Sequence, residues 1–219
     1  NNQFTELSNL AFVNNQSLPT PGQGLALNLQ WQPSPRFYAQ AATFPANSAP
    51  GSAPFSGLSF RNWVTQLEAG WITPELLGQG QNIVRGQPFV ATVDSVVGLG
   101  IGLNMEQQLG GPEGRWGWFG RAGVCQSGVA ISGFETQVST GVALEAPNPG
   151  APLKDARASR WSVGVVWGRP ADSEGGEYGL ELLYCLQLTP TLSLRPDLQW
   201  IWSRTGMRAP DPAVVMQFQ

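Results

Sequence analysis

Residues 95–109 alternate strictly: Val97, Leu99, Ile101, Leu103 and Met105 interleave with Gly98, Gly100, Gly102, Asn104 and Glu106. Successive side chains of a strand point to opposite faces, so this stretch reads as a strand with one apolar face and one small or polar face. The rhythm recurs along the chain. Leu25, Leu27, Leu29 and Trp31 alternate with Ala26, Asn28, Gln30 and Gln32. Trp63, Thr65, Leu67, Ala69 and Trp71 share one face, with Asn62, Gln66 and Glu68 on the other. A soluble sheet around one core does not need so wide an apolar row on nearly every strand. A membrane barrel does, because lipid touches its outside and water fills its inside.

Composition agrees. Charged residues make up 12% of the 219 residues, against about 25% in soluble globular proteins. No run of 18 apolar residues is present, so an ordinary transmembrane helix is excluded. The 27 Gly, 18 Pro and 9 Trp suit turns, close packing and interfacial anchors. A secreted β-sandwich shares the Gly and Pro content and is the alternative fold. It would need no detergent for extraction. The net charge of −3 and the lack of a basic run argue against a nucleic-acid partner. With no His and two isolated Cys, His/Cys zinc sites and His-based triads are excluded within the chain, and no cofactor or metal is expected. The opening Asn1-Asn2-Gln3 reads as a processed, truncated or partial start.

The expected organisation is all-β: an antiparallel up-and-down transmembrane β-barrel. Residues 1–23 are an external loop or a truncated N-terminal end, and 24–219 are barrel strands. Strands are expected near 25–31, 36–44, 62–72, 95–109, 115–125, 134–144, 160–169, 178–188, 192–203 and 213–219. Phe134, Val138, Val142 and Leu144 are read as outward, as are Trp161, Val163, Val165 and Trp167. Short turns at 33–35 and 189–191 share the periplasmic side only if one more strand crosses within 73–94. Asn82–Val93 is the candidate, although Gly86 and Pro88 interrupt it. Longer links at 45–57 and 203–212 then lie outside the cell, while 146–159 is long for its side. Trp63 and Trp71 stand roughly 26 Å apart along their strand at ~3.3 Å per residue, about the separation of two aromatic girdles once the strand tilts.

That count is eleven strands, and an up-and-down barrel closes only with an even number. An open edge in hydrocarbon leaves N–H and C=O groups unpaired at several kcal/mol each. The chain is therefore expected not to close on itself, but to pair with missing N-terminal strands or with another polypeptide. Cys125 and Cys185 fall three strands apart. At about 4.8 Å per strand that is ~14 Å, beyond the ~7 Å limit for a disulfide.

Parity also assigns an inner wall, including Gln108, Glu135, Gln137, Arg160 and Gln187. Its leading pore-lining candidates are Glu68, Asn104, Glu106, Arg121, Glu181, Arg195, Asp197 and Gln199. Sugar hydroxyls both donate and accept, so a wall mixing guanidinium donors with carboxylate acceptors exchanges for their hydration. The plainer reading is that these groups salt-bridge across the wall and stiffen it. Glu106 and Glu135 could suggest a glycosidase pair, but they lie on strands two apart in a water-filled wall, so an enzyme is not expected.

A set of motifs then appears in order. Leu103-Asn104-Met105-Glu106-Gln107-Gln108 is followed by Trp118-Phe119-Gly120-Arg121-Ala122-Gly123 and Trp167-Gly168-Arg169-Pro170. Leu180-Glu181-Leu182-Leu183-Tyr184 leads through Gln187-Leu188-Thr189-Pro190 to Arg195-Pro196-Asp197-Leu198-Gln199-Trp200-Ile201. Trp31-Gln32-Pro33 and Arg36-Phe37-Tyr38-Ala39-Gln40 precede them. Together these resemble the carbohydrate-selective porin family of Gram-negative outer membranes, the OprB type, over about residues 24–201. The resemblance implies a sixteen-stranded barrel passing sugars by diffusion, of which this chain resembles the C-terminal part. Cys185 departs from it, standing where the family often has an inward Arg. The implied surroundings are the bacterial outer membrane, with the lipid bilayer, lipopolysaccharide and small sugars as partners. The expected function is an outer-membrane porin for sugars, ions or other small polar solutes. The alternative is a structural barrel or half-barrel that anchors an envelope complex without a conducting pore.

Overall fold

The structure is a computed structural model and describes residues 15–19, 25–46, 61–73, 82–109, 115–131, 133–146, 159–171, 175–189, 192–203 and 216–218. Eleven strands form one sheet in sequential order: β1 (Leu27–Ser34), β2 (Phe37–Pro45), β3 (Trp63–Thr73), β4 (Asn82–Val93), β5 (Val96–Leu109), β6 (Trp116–Cys125), β7 (Phe134–Ala146), β8 (Ser159–Pro170), β9 (Glu177–Thr189), β10 (Leu192–Ser203) and β11 (Met216–Phe218). Every neighbouring pair is antiparallel. Among the described residues β1 and β11 are the two ends of this order and do not pair with each other. The loops or links expected at 1–14, 47–57, 147–158 and 204–212, and the turn expected at 110–114, lie outside the described residues.

The two faces follow the alternation. Val97, Leu99, Ile101 and Leu103 are exposed, while Gly98, Gly102 and Asn104 between them are buried. Leu27, Leu29 and Trp31 on β1, Leu67 and Trp71 on β3, and Trp161, Val163 and Val165 on β8 extend the exposed face. Leu29 and Val97 keep 65% and 66% of their surface open, far more contiguous apolar exposure than a soluble monomer presents. Aromatics gather at both ends of that face. Trp31 packs edge-on against Phe37 at 6.3 Å, and Trp161 stacks on Tyr184 at 4.2 Å, beside the turn-proximal Trp71 and Trp116. At the opposite end Tyr178 stacks on Trp202 at 5.9 Å, and the Trp63 indole donates to Thr43 Oγ1.

β4 occupies the expected position, and the interruption at Gly86 and Pro88 shows as a local break in its pairing. Pro88 has no N–H. Pairing with β3 skips from Gln66–Phe89 to Ala69–Gly86, whereas pairing with β5 is unbroken from Asn82 to Val93. The first hairpin turns later than expected. Ser34 pairs with Phe37, past an irregularity after Trp31, and Ser34 Oγ accepts from the N–H groups of Arg36 and Phe37 at 3.3 and 3.1 Å. Phe134 lies on the face opposite to the one expected. Pairing skips from Phe134–Pro170 to Thr136–Arg169, and this bulge lays the Phe134 ring over Gly168 on the packed face rather than the exposed one. Cys125 on β6 and Cys185 on β9 are both free thiols, separated by β7 and β8.

β4 and β5 are joined by a two-residue turn at Asp94 and Ser95, with φ of 48° and 74°. Positive φ at both central residues is the type I′ geometry that matches strand twist, and it favours Asn-Gly over Asp-Ser. Asn62 Oδ1 accepts from the Asp94 N–H at 2.7 Å and pins the turn. Replacing Ser95 with Gly removes the left-handed penalty and is expected to add about 1 kcal/mol of stability. The check is the urea midpoint of the detergent-solubilised protein, which rises if the turn has this geometry.

Candidate functional site: the packed face of the sheet

The packed face is built from alternate residues of every strand, and its polar groups answer one another. Glu68 on β3 is buried; it accepts from the Tyr38 hydroxyl of β2 at 2.5 Å and from Gln87 Nε2 of β4. Gln87 Oε1 in turn accepts from Asn104 Nδ2 of β5. One strand along, Glu106 Oε1 holds two guanidinium groups, Arg85 at 2.6 Å and Arg121 at 3.5 Å. Arg121 also lies 4.6 Å above the Phe119 ring and is buried, so its charge is balanced in a protected setting. Hydrogen bonds and ion pairs thus link four adjacent strands and, through Arg121, a fifth.

A second group lies on β7–β10. Arg160 pairs with Glu145 directly across β7 and β8. Glu181, Asp197 and Gln199 are buried, Gln199 faces Glu181 across β9 and β10, and its Nε2 donates to Asp197 Oδ2 at 2.9 Å. Arg195 lies on the same face of β10, two residues from Asp197. All eight candidates therefore sit on one face, but in two clusters: Glu68, Asn104, Glu106 and Arg121 in the first, Glu181, Arg195, Asp197 and Gln199 in the second. Tyr38, Arg85 and Gln87 were missed. Arg85 and Gln87 carried a signal, since they share the parity of Phe89 on β4; the interruption at Gly86 and Pro88 hid it.

The packed face is not polar throughout. Phe44, Val64, Phe89, Ala91, Cys125 and Val129 form a buried apolar cluster at the end of the sheet that carries the Asp94–Ser95 turn, and Leu18 belongs to it. Beside this cluster runs a cross-strand row that includes three glycines. Gln87 faces Gly102, Gly102 faces Gly123, Gly123 faces Gln137, and Gln137 faces Gly168. Residues 15–19 lie across this row. A side chain at Gly102 would strike Leu18, and one at Gly123 would strike Ser17 and Asn15. Asn15 Nδ2 donates to the Ala122 carbonyl at 2.8 Å, and the Gln16 N–H donates to Gln137 Oε1 at 2.5 Å. The glycines of β5 and β6 are the seat of this segment.

A sequential antiparallel sheet of strands 8–14 residues long (apart from the short β11), apolar and aromatic on one face and hydrogen-bonded on the other, is the wall of a porin-type barrel. A family model for the carbohydrate-selective porin, OprB family, matches residues 98–219, and the chain belongs to that family. It is a family of channel proteins of the bacterial outer membrane, not of enzymes. The structure of Pseudomonas putida OprB at high pH shares the fold, with a TM-score of 0.62 and 15% identity over 80% of this chain and 53% of that one. The low-pH structure gives 0.54 and 18% over 80% and 50%. This chain therefore spans about half the length of the structures it matches. No curated protein sequence matches it.

The Glu106 cluster makes a direct prediction. Replacing Glu106 with Gln leaves Arg85 and Arg121 without their shared anion. Stability is expected to fall by about 1–3 kcal/mol, seen as an earlier unfolding transition in detergent. A variant as stable as the parent would mean that the two guanidiniums are held by other groups.

Proposed function

We propose that the chain is part of the wall of an outer-membrane porin through which sugars and other small polar solutes, ions among them, diffuse. The observation that carries this reading is the opposition of the two faces. The exposed face, with its aromatics at both ends, meets the bilayer and, on its external side, lipopolysaccharide. The packed face lines the lumen, where paired Arg, Glu, Gln and Asn side chains exchange hydrogen bonds with passing hydroxyls. Glu68, Asn104, Glu106, Arg121, Glu181, Arg195, Asp197 and Gln199 line that lumen in this reading. Residues 24–219 then act as one barrel segment of a sixteen-stranded wall. The edges of β1 and β11 pair with further N-terminal strands or with a second polypeptide, because an unpaired edge is not tolerated in hydrocarbon.

Residues 15–19 narrow this lumen, since they occupy the glycine row on its wall. The same filling favours a second reading, an anchoring barrel that does not conduct. Permeability separates the two. Liposomes holding the complete barrel, with the further strands or second polypeptide that pair with β1 and β11, are expected to swell in isotonic monosaccharide, more slowly as the solute grows. Replacing Leu18 with Asp is expected to release the segment and raise single-channel conductance roughly twofold, as the aqueous path widens. Absence of swelling and of conductance would leave the anchoring role.

A further inference from the structure

The exposed face of the sheet is not even. On β1–β4, toward the β1–β2 turn, it sinks into an open hollow of about 570 Å³. The floor follows from the pairing. Trp31 faces Ala39, Ala39 faces Ala69, and Ala69 faces Gly86, so successive strands present only a methyl group or a hydrogen beside the indole. Ala41 extends this floor along β2. Leu29, Trp31 and Leu67 are exposed and rise around it, with Pro88 on the far side. The hollow is lined almost wholly by carbon. Glu68, between Leu67 and Ala69, turns to the packed face, where Tyr38 and Gln87 hold it.

At the turn end of the hollow the chemistry changes in two steps. Trp31, Phe37 and Trp71 are exposed there and form an aromatic collar, the kind that marks a membrane interface. Arg36 follows, in the turn itself. It is exposed, and among the described residues its guanidinium has no ionic or hydrogen-bonding partner. A cation, then aromatic rings, then an apolar hollow repeat the order of phosphate, glycerol ester and acyl chain in a phospholipid. A guanidinium matches phosphate in charge and in fork geometry. Arg36 and Ala41 lie roughly 17 Å apart along the chain at ~3.4 Å per residue, close to the ~15 Å of one leaflet's hydrocarbon. A second copy of the chain fits less well. In a two-fold contact each copy presents the same patch, so hollow would meet hollow and leave a void that close packing does not tolerate. A flexible acyl chain fills the hollow without that constraint.

We propose that the hollow seats one acyl chain of a phospholipid whose phosphate binds Arg36. The proposal rests on the reading of the exposed face as the bilayer face, and it places the lipid beside β1, at the edge where the wall continues. In that reading the β1–β2 turn is periplasmic, so the lipid belongs to the inner leaflet of the outer membrane.

Native mass spectrometry tests this on the complete barrel, with the strands or second polypeptide that pair with β1 and β11. The probes are dioleoylphosphatidylglycerol and dioleoylglycerol, which has the same chains and no phosphate. The parent is expected to retain one phosphatidylglycerol and far less dioleoylglycerol. Ala69→Leu fills the floor and is expected to raise the dissociation constant roughly tenfold, as the chain loses its seat. Arg36→Gln is expected to raise it roughly fivefold, the worth of one cation at a lipid surface. Ala122→Leu adds the same bulk on β6, between the exposed Leu103 and Val138 and away from the hollow, and is expected to change nothing. No retained phosphatidylglycerol, equal retention of dioleoylglycerol, undiminished retention in either Ala69→Leu or Arg36→Gln, or an equal loss in Ala122→Leu would overturn the proposal. So would a dimer of complete barrels that Ala69→Leu dissociates, which would give the hollow to a second copy. Flotation of the complete barrel with liposomes reads the bilayer face separately. A barrel that floats yet retains no phosphatidylglycerol removes the lipid seat alone, and one that does not float removes the reading of the exposed face and the seat with it.

Discussion

Backbone hydrogen bonding sets the terms for everything else in this fold. A strand that faces hydrocarbon must give each N–H and C=O to a neighbouring strand, because no water is there to take them. The result is a sheet in which each strand pairs with the next in sequence, β1 through β11. Once pairing is fixed, side chains have only two directions, and the chemistry of the two faces separates. Leu99, Ile101 and Leu103 go to one face because Gly100, Gly102 and Asn104 go to the other. A one-residue slip would exchange them and put Asn104 and Glu106 toward lipid.

On the packed face the problem is reversed. Buried carboxylates and guanidiniums need partners, and the register supplies them from adjacent strands. Glu106 serves both Arg85 and Arg121, and Glu68 serves both Tyr38 and Gln87. This cross-strand bonding ties the wall together without adding to its exposed apolar surface. The same face accepts residues 15–19 where side chains are absent, at Gly102 and Gly123. Charge pairing and small residues are therefore complementary devices: one stiffens the wall, the other leaves room on it.

Much of this was legible in the sequence because period two is a strong signal when it repeats. The faces of β3, β5, β8 and β9 and the polar candidates on one wall follow from parity. What escaped depends on contacts between segments. The glycines at 98, 100 and 102 read only as a small-residue face, yet they receive Val129, Phe89 with Cys125, and Leu18. Phe134 breaks parity through a bulge that no composition rule marks. Arg85 and Gln87 were obscured by Pro88, whose missing N–H interrupts one pairing and leaves the strand intact. The Ser34 hydroxyl extends β1 into a turn that Pro33 and Pro35 alone would place earlier.

The central claim is that the odd-numbered residues of β5 from Val97 to Leu103 face lipid and the even-numbered ones from Gly98 to Asn104 face the interior. A nitroxide scan over residues 97–106 in a reconstituted bilayer measures this directly through collision with molecular oxygen, which concentrates in hydrocarbon. The account predicts a period of two, with maxima at Val97, Leu99, Ile101 and Leu103 and minima at Gly98, Gly100, Gly102 and Asn104. The opposite phase, or no periodicity at all, would contradict it.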